Sequence, residues 1–154
     1  MEIRLVVVPP LRDLRIDTTL DYKNMHTPRK PVVLVVDDNY GVANTLALVL
    51  QASGYVTAVA YSGKEAVEMM SGIAADAAIV DVNLPDVDGV RTAVEICNRL
   101  PNCKILLMSG HPDAISLLDR MKGEGVNFQV LPKPMQPPEL LDAIAALLSS
   151  SARA

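Results

Sequence analysis

Between residues 31 and 148 the chain alternates short, unbroken apolar runs with longer stretches of helical spacing. Val32–Val36 is a continuous β-branched and leucine run, the pattern of a strand covered on both faces. Val42, Leu46, Val49 and Leu50 recur at helical intervals and predict a helix that Gly54 stops. Val56–Ala60 predicts a second strand. Ser62 and Glu65 then form a capping-box pattern, opening a helix that ends near Gly72. Ala77–Val80 predicts a third strand, closing on Asp81. A third helix is expected from about Asp88 to Leu100, with Val90, Val94 and Cys97 on one face and Pro101 ending it. Ile105–Met108 reads as a fourth strand, followed by a helix from near Asp113 to Gly123. Phe128–Leu131 reads as a fifth strand. A last helix opens at Pro137 and Pro138, where proline suits the first turn, and runs to about Leu148.

Five strands alternating with five helices predict an α/β fold: a doubly wound, five-stranded parallel sheet with helices on both faces. In such sheets, function gathers beyond the carboxyl ends of the strands. The flanks differ from this core. Residues 1–30 hold six basic and four acidic residues, and all eight glycines come after residue 40. The first 30 residues are therefore expected to be an irregular N-terminal extension, with a short strand at Ile3 to Val8, and residues 149–154 a frayed tail.

Composition narrows the function classes. Half of the 154 residues are apolar, which excludes whole-chain disorder. The net charge of −4 gives no basic balance for nucleic acid or an anionic membrane, and with no Trp and one Phe no base-stacking surface is expected. The apolar runs are far short of the ~20 residues of a membrane span, and Pro9 and Pro10 interrupt the single candidate for a secretory signal. A cytoplasmic protein with two reduced thiols, Cys97 and Cys103, is expected.

The residues that follow the strands carry the candidate chemistry. Asp37 and Asp38 follow the first strand, Asp81 and then Asn83 the third, Ser109 the fourth and Lys133 the fifth. Taken singly, each also fits plain turn or cap chemistry: Asp38 as a helix cap, Asp81 ahead of Pro85 and Gly89 as a turn, Lys133 as a solvated turn residue. Taken together on one sheet edge, three carboxylates repel unless one is protonated or a cation sits among them. Oxygen ligands with open positions suit Mg²⁺. A carboxylate nucleophile, a metal, a cationic lysine and a hydroxyl donor are the parts of a phosphoryl-transfer site.

VVLVVDDN at 32–39, DVNLPDVDG at 81–89, LLMSG at 106–110 and LPKP at 131–134 occur in this order. With these segments, the chain resembles the receiver domain of two-component response regulators over residues 31–148. The resemblance implies that Asp81 accepts a phosphoryl group from a histidine kinase or phosphotransfer protein. It implies that Asp37, Asp38 and Asp81, with the backbone carbonyl of Asn83, hold Mg²⁺, and that Ser109 and Lys133 contact the phosphoryl group. It further implies a cis Lys133–Pro134 bond, and a fourth helix, fifth strand and fifth helix that respond, alter binding to a downstream protein and can pair two copies. Val130 stands where the family usually carries Phe or Tyr, with Phe128 two residues earlier on the same strand face. His111 lies two residues past Ser109, near the expected site mouth, and His26 has no evident partner. Six residues follow Leu148, so a stand-alone receiver is expected. The alternatives are a receiver module of a larger phosphorelay or hybrid kinase assembly, or a phosphohydrolase working through an aspartyl phosphate. The latter usually has an acid two residues after the nucleophile, where this chain has Asn83.

Overall fold

The computed structural model describes residues 28–110 and 114–150. The expected strand at Ile3 to Val8, His26, His111, the Asp113 helix start and the tail from residue 151 lie outside the described residues. The element order is β1 (Val32–Val36), α1 (Tyr40–Ala52), β2 (Val56–Ala60), α2 (Gly63–Met69), β3 (Ala77–Asp81), α3 (Gly89–Arg99), β4 (Lys104–Ser109), α4 (Ala114–Gly123), β5 (Gln129–Pro132) and α5 (Pro137–Ser149). The five strands form one parallel sheet in the order β2-β1-β3-β4-β5. The doubly wound α/β expectation is therefore met.

Strand alternation sorts the core into two layers. Leu34, Val36, Ala78, Val80, Ile105 and Leu107 pack with Ala66, Ala93, Ile96, Leu117 and Met121, so α2, α3 and α4 cover one face. Val33, Val35, Ala77, Ile79, Leu106 and Met108 pack with Ala43, Leu50, Leu140 and Ile144, so α1 and α5 cover the other. Central strands β1, β3 and β4 read as continuous apolar runs because both of their faces are buried.

Several boundaries and faces differ from the sequence expectation. The buried face of α1 is Ala43, Ala47 and Leu50, while Val42 is exposed. Small residues let the helix lie close to the sheet, and they carry little hydropathic signal. In α3 the buried line runs through Val90, Ala93 and Ile96, leaving Val94 and Cys97 half-buried. Helix α2 ends at Met69, with turns carrying the chain past Gly72, and β5 begins at Gln129, one residue after Phe128. Phe128 is half-buried and packs with Val130 against the α2–α4 layer. Cys97 and Cys103 are free thiols; burial pushes Cys103 up to about 12, with Cys97 and Asp76 adding to the effect.

At the amino-terminal edge of the sheet, Asp76 gathers the chain. Its carboxylate accepts two bonds from the Arg29 guanidinium, at 2.9 and 2.8 Å, and one from the Val32 N–H at 2.8 Å. Arg29 and Asp76 share a cleft with Leu148 and Ser150.

Candidate functional site

The chain goes from β1 outward to β2 and then crosses back to β3, so the winding direction reverses between β1 and β3. A crevice opens beyond the strand ends at such a point. Strand register decides what faces it. Val36 pairs with Val80, so Asp37 and Asp81 emerge side by side. Asp81 pairs with Met108, and Ser109 with Pro132, so Ser109 and Lys133 end the next two strands on the same edge. Asp37, Asp81 and Lys133 each continue the alternation of residues on the α1–α5 face. The Ser109 carbonyl accepts the Lys133 N–H at 2.9 Å, and the Lys133–Pro134 bond is cis.

Lys133 spans the crevice. Its Nζ donates to Asp37 Oδ2 at 2.7 Å and to Asp81 Oδ2 at 3.0 Å. The side chains of Asp37, Asp81 and Lys133 are 1 %, 9 % and 24 % exposed. Burial alone would discourage the ammonium charge. The bonds to Asp37 and Asp81 and the field of both carboxylates outweigh burial and hold the Lys133 pKa above its ordinary value. The remaining oxygens are partly committed: Asp37 Oδ1 accepts the Asn39 N–H at 2.9 Å, and Asp81 Oδ1 accepts the Asn83 N–H at 3.0 Å.

Asp38 is exposed at the mouth and does not cap α1; Asn39 does, accepting the Val42 N–H at 3.0 Å. Asp37, Asp38 and Asp81 each present one carboxylate oxygen within 4.8 Å of the others. An all-oxygen set of three carboxylates, open to solvent on the Asp38 side, has the composition that a hard divalent cation requires. Asn83 sits exposed in the loop just past Asp81. The sheet edge thus brings Asp37, Asp38, Asp81 and Lys133 together, with Ser109 and Asn83 bordering them.

Residues 33–145 match the family model described as the response regulator receiver domain. The chain belongs to that family. It is 30% identical over 113 residues to the chemotaxis protein CheY of Thermotoga maritima, covering 73% of this chain and 92% of that one. It is 33% identical over 117 residues to the response regulator MprA of Mycobacterium ulcerans, covering 75% of this chain but 49% of MprA. The chain therefore spans about half the length of that relative. A crystal structure of a response regulator protein from Burkholderia pseudomallei with a phosphorylated aspartic acid, calcium ion and citrate superposes with a TM-score of 0.67 at 25% identity, covering 80% of this chain and 71% of that one. Membership places this receiver in two-component, phosphorylation-dependent signalling.

The receiver also contains supports that the sequence reading passed over. Gly89 lies hard against the end of β3: a Cβ there would stand 2.0 Å from the Asp81 carbonyl oxygen and 2.6 Å from Val82 Cα. Its N–H donates to the Val82 carbonyl at 3.0 Å. Asp88 caps α3 by accepting the Val90 N–H at 2.8 Å. Asp86 reaches across to α2 and accepts the N–H groups of Gly63 and Lys64 at 3.1 and 2.9 Å. The second and third acids of the DVNLPDVDG segment are therefore tethers for neighbouring helices. Their spacing from Asp81 was visible, but their partners depend on how α2 and α3 pack. Beside Lys133, a cleft of about 760 Å³ is lined by Val42, Leu46, Met108, Pro134 and Met135. The exposed Val42, misplaced in the expected core face of α1, finds its setting there.

No helix among the described residues is long and apolar enough to cross a membrane.

Proposed function

We propose that Asp81 is the phosphoacceptor of this receiver, taking a phosphoryl group from a histidine kinase or phosphotransfer protein. The observation that carries the reading is the bridge of Lys133 between two nearly buried carboxylates on neighbouring strands. A carboxylate oxygen of Asp81 attacks the phosphorus of a phosphohistidine. The P–N bond breaks, its electron pair stays on the imidazole nitrogen, and an acyl phosphate forms on Asp81. Lys133 is placed to release Asp81 Oδ2 and follow the incoming oxygens while keeping its bond to Asp37. Ser109, on the adjoining strand end, supplies a hydroxyl to the same group.

Asp37, Asp38 and Asp81, with the Asn83 carbonyl, would hold Mg²⁺ there. When bound, the ion offsets the charge of the transferring phosphoryl oxygens. The Burkholderia pseudomallei relative, with its phosphorylated aspartic acid and calcium ion, supports both halves of this assignment. The apolar cleft beside Lys133 gives a phosphodonor protein a surface within reach of the acceptor. Neutral Asn83, two residues past Asp81, lacks the proton-donating acid that rapid turnover of a phosphate ester would use. The phosphorylated state then changes binding to a downstream protein.

The test is incubation with Mg²⁺ and acetyl phosphate, read by intact mass and peptide mapping. One phosphoryl group per chain on Asp81, lost in Asp81→Asn and strongly reduced by EDTA, is the expected result. Equal labelling of Asp81→Asn, or catalytic turnover of the donor without a stable adduct, overturns the assignment.

A further inference from the structure

Helix α4 is lightly anchored. Leu117 and Met121 are buried, whereas Leu118, Asp119, Arg120 and Lys122 face solvent. Two ion pairs tie it to α3. Arg120 donates from its guanidinium to Asp88 Oδ2, and Glu124, just past the end of α4, faces Arg91 at 3.9 Å. The first of these reaches deep into the site's scaffold. Asp88 uses its other carboxylate oxygen to cap α3 at Val90, and its carbonyl accepts from the N–H of Thr92 at 2.9 Å and from the Thr92 hydroxyl at 3.1 Å. The next residue, Gly89, is seated without spare room on the Asp81 backbone. A line of contacts thus runs from the backbone of Asp81 and Val82 through Gly89 and Asp88 to a side chain on α4. Residues 82–88, which include Asn83, are pinned at both ends of that line.

We propose that Arg120 is a positioning residue for the acidic pocket: acting through Asp88, it holds residues 82–88 in the arrangement the pocket uses, and so couples α4 to occupancy at Asp81. The inference rests on the reading of the pocket given above. Because coupling between two sites is reciprocal, a latch that tightens the loop for ligand must itself be tightened when ligand binds. The Asp88 and Arg120 side chains are 30 % and 40 % exposed, so solvent screens the pair and the expected effect is modest, about two- to fivefold.

The full chain is titrated with beryllofluoride in the presence of Mg²⁺, and amide hydrogen exchange is followed in α4. Asp88→Asn keeps an amide oxygen for the α3 cap but removes the charge that Arg120 grips. Expected are two- to fivefold weaker binding in Arg120→Ala and in Asp88→Asn, a double variant no weaker than either single, and recovery of most of the loss in Arg120→Lys. In the wild type, beryllofluoride should slow exchange of α4 amides, and Arg120→Ala should abolish that slowing. Wild-type-like binding by Arg120→Ala, or losses that add in the double variant, overturns the coupling while leaving the pocket intact. A wild-type chain that binds no beryllofluoride overturns the pocket reading and this proposal with it.

Discussion

Replacing Lys133 with methionine isolates the electrostatics of the site. The methionine keeps most of the side chain's length and apolar stem but removes the cation that, alone among the described residues, pairs with the Asp37 and Asp81 carboxylates, at 2.7 and 3.0 Å. Stripping one partner from a buried ion pair costs about 3–5 kcal/mol. Asp37 is essentially fully buried, but the crevice opens to water on the Asp38 side, so the lower end, about 3 kcal/mol, is expected. At roughly 2–4 °C per kcal/mol for a domain of this size, Tm should fall by about 6–12 °C in EDTA. A divalent cation can replace the missing charge, whereas in the wild type it must share the pocket with the ammonium. Saturating Mg²⁺ should therefore raise the Tm of Lys133→Met by more than it raises that of the wild type. The pH dependence has a definite sign. A lysine pKa raised by folding contributes stability that is fully present below its unfolded value of about 10.4, and lost as pH climbs through the higher folded value. The gap between wild type and variant should thus hold constant from neutral pH to about pH 10 and close above it. Paired calorimetric scans in EDTA and Mg²⁺ decide the matter. Melting of the variant within about 2 °C of wild type in EDTA, together with equal Mg²⁺ increments, would refute the reasoning.

Further outcomes follow from the same geometry. Asp38→Ala should weaken Mg²⁺ binding by about tenfold or more, since carboxylate count sets the affinity of oxygen sites; unchanged calorimetric titration would remove Asp38 from the ligand set. Gly89→Ala should lower stability by about 3 kcal/mol, at the upper end of overpacking costs, because the added methyl meets backbone 2.0 Å away and not a yielding side chain. It should also slow acetyl phosphate labelling, and a stable, normally labelled variant would contradict the close approach. Asp86 has a lowered pKa chiefly through the Lys64 N–H, so its support of α2 is present above the unfolded pKa near 4 and lost as pH falls through the folded value. Denaturant unfolding should find Asp86→Ala less stable than wild type at pH 7 and equal to it at about pH 2; a gap that persists in acid would argue against the capping role.

The fold was legible because β1, β3 and β4 are buried on both faces and so appear as unbroken apolar runs between helical segments. The site was legible because its residues follow strand ends, and strand ends of a parallel sheet share one edge. What stayed hidden depends on packing distance. Ala43 and Ala47 were passed over in favour of the bulkier Val42 because hydropathy rewards size, while close helix–sheet contact rewards its absence. The role of Gly89 was hidden for the same reason: nothing in one sequence says that a glycine faces a carbonyl. Asp88 was legible as the start of α3, but only the positions of α2 and α4 reveal what the Asp86 and Asp88 carboxylates hold. Phe128 lies just outside β5, although its packing with Val130 follows the expected alternation.

The clamp of Arg29 on Asp76 has a consequence for how this module can be joined to others. Arg29 enters, and Leu148 and Ser150 leave, beside one cleft at the pole opposite the aspartates, a strand length of roughly 16 Å away for five residues. The segments that precede Arg29 and follow Ser150 join the domain at that far pole, a strand length from the acidic mouth. The two attachment points being neighbours, a host protein could also accept the domain as an insert with little separation between its own severed ends.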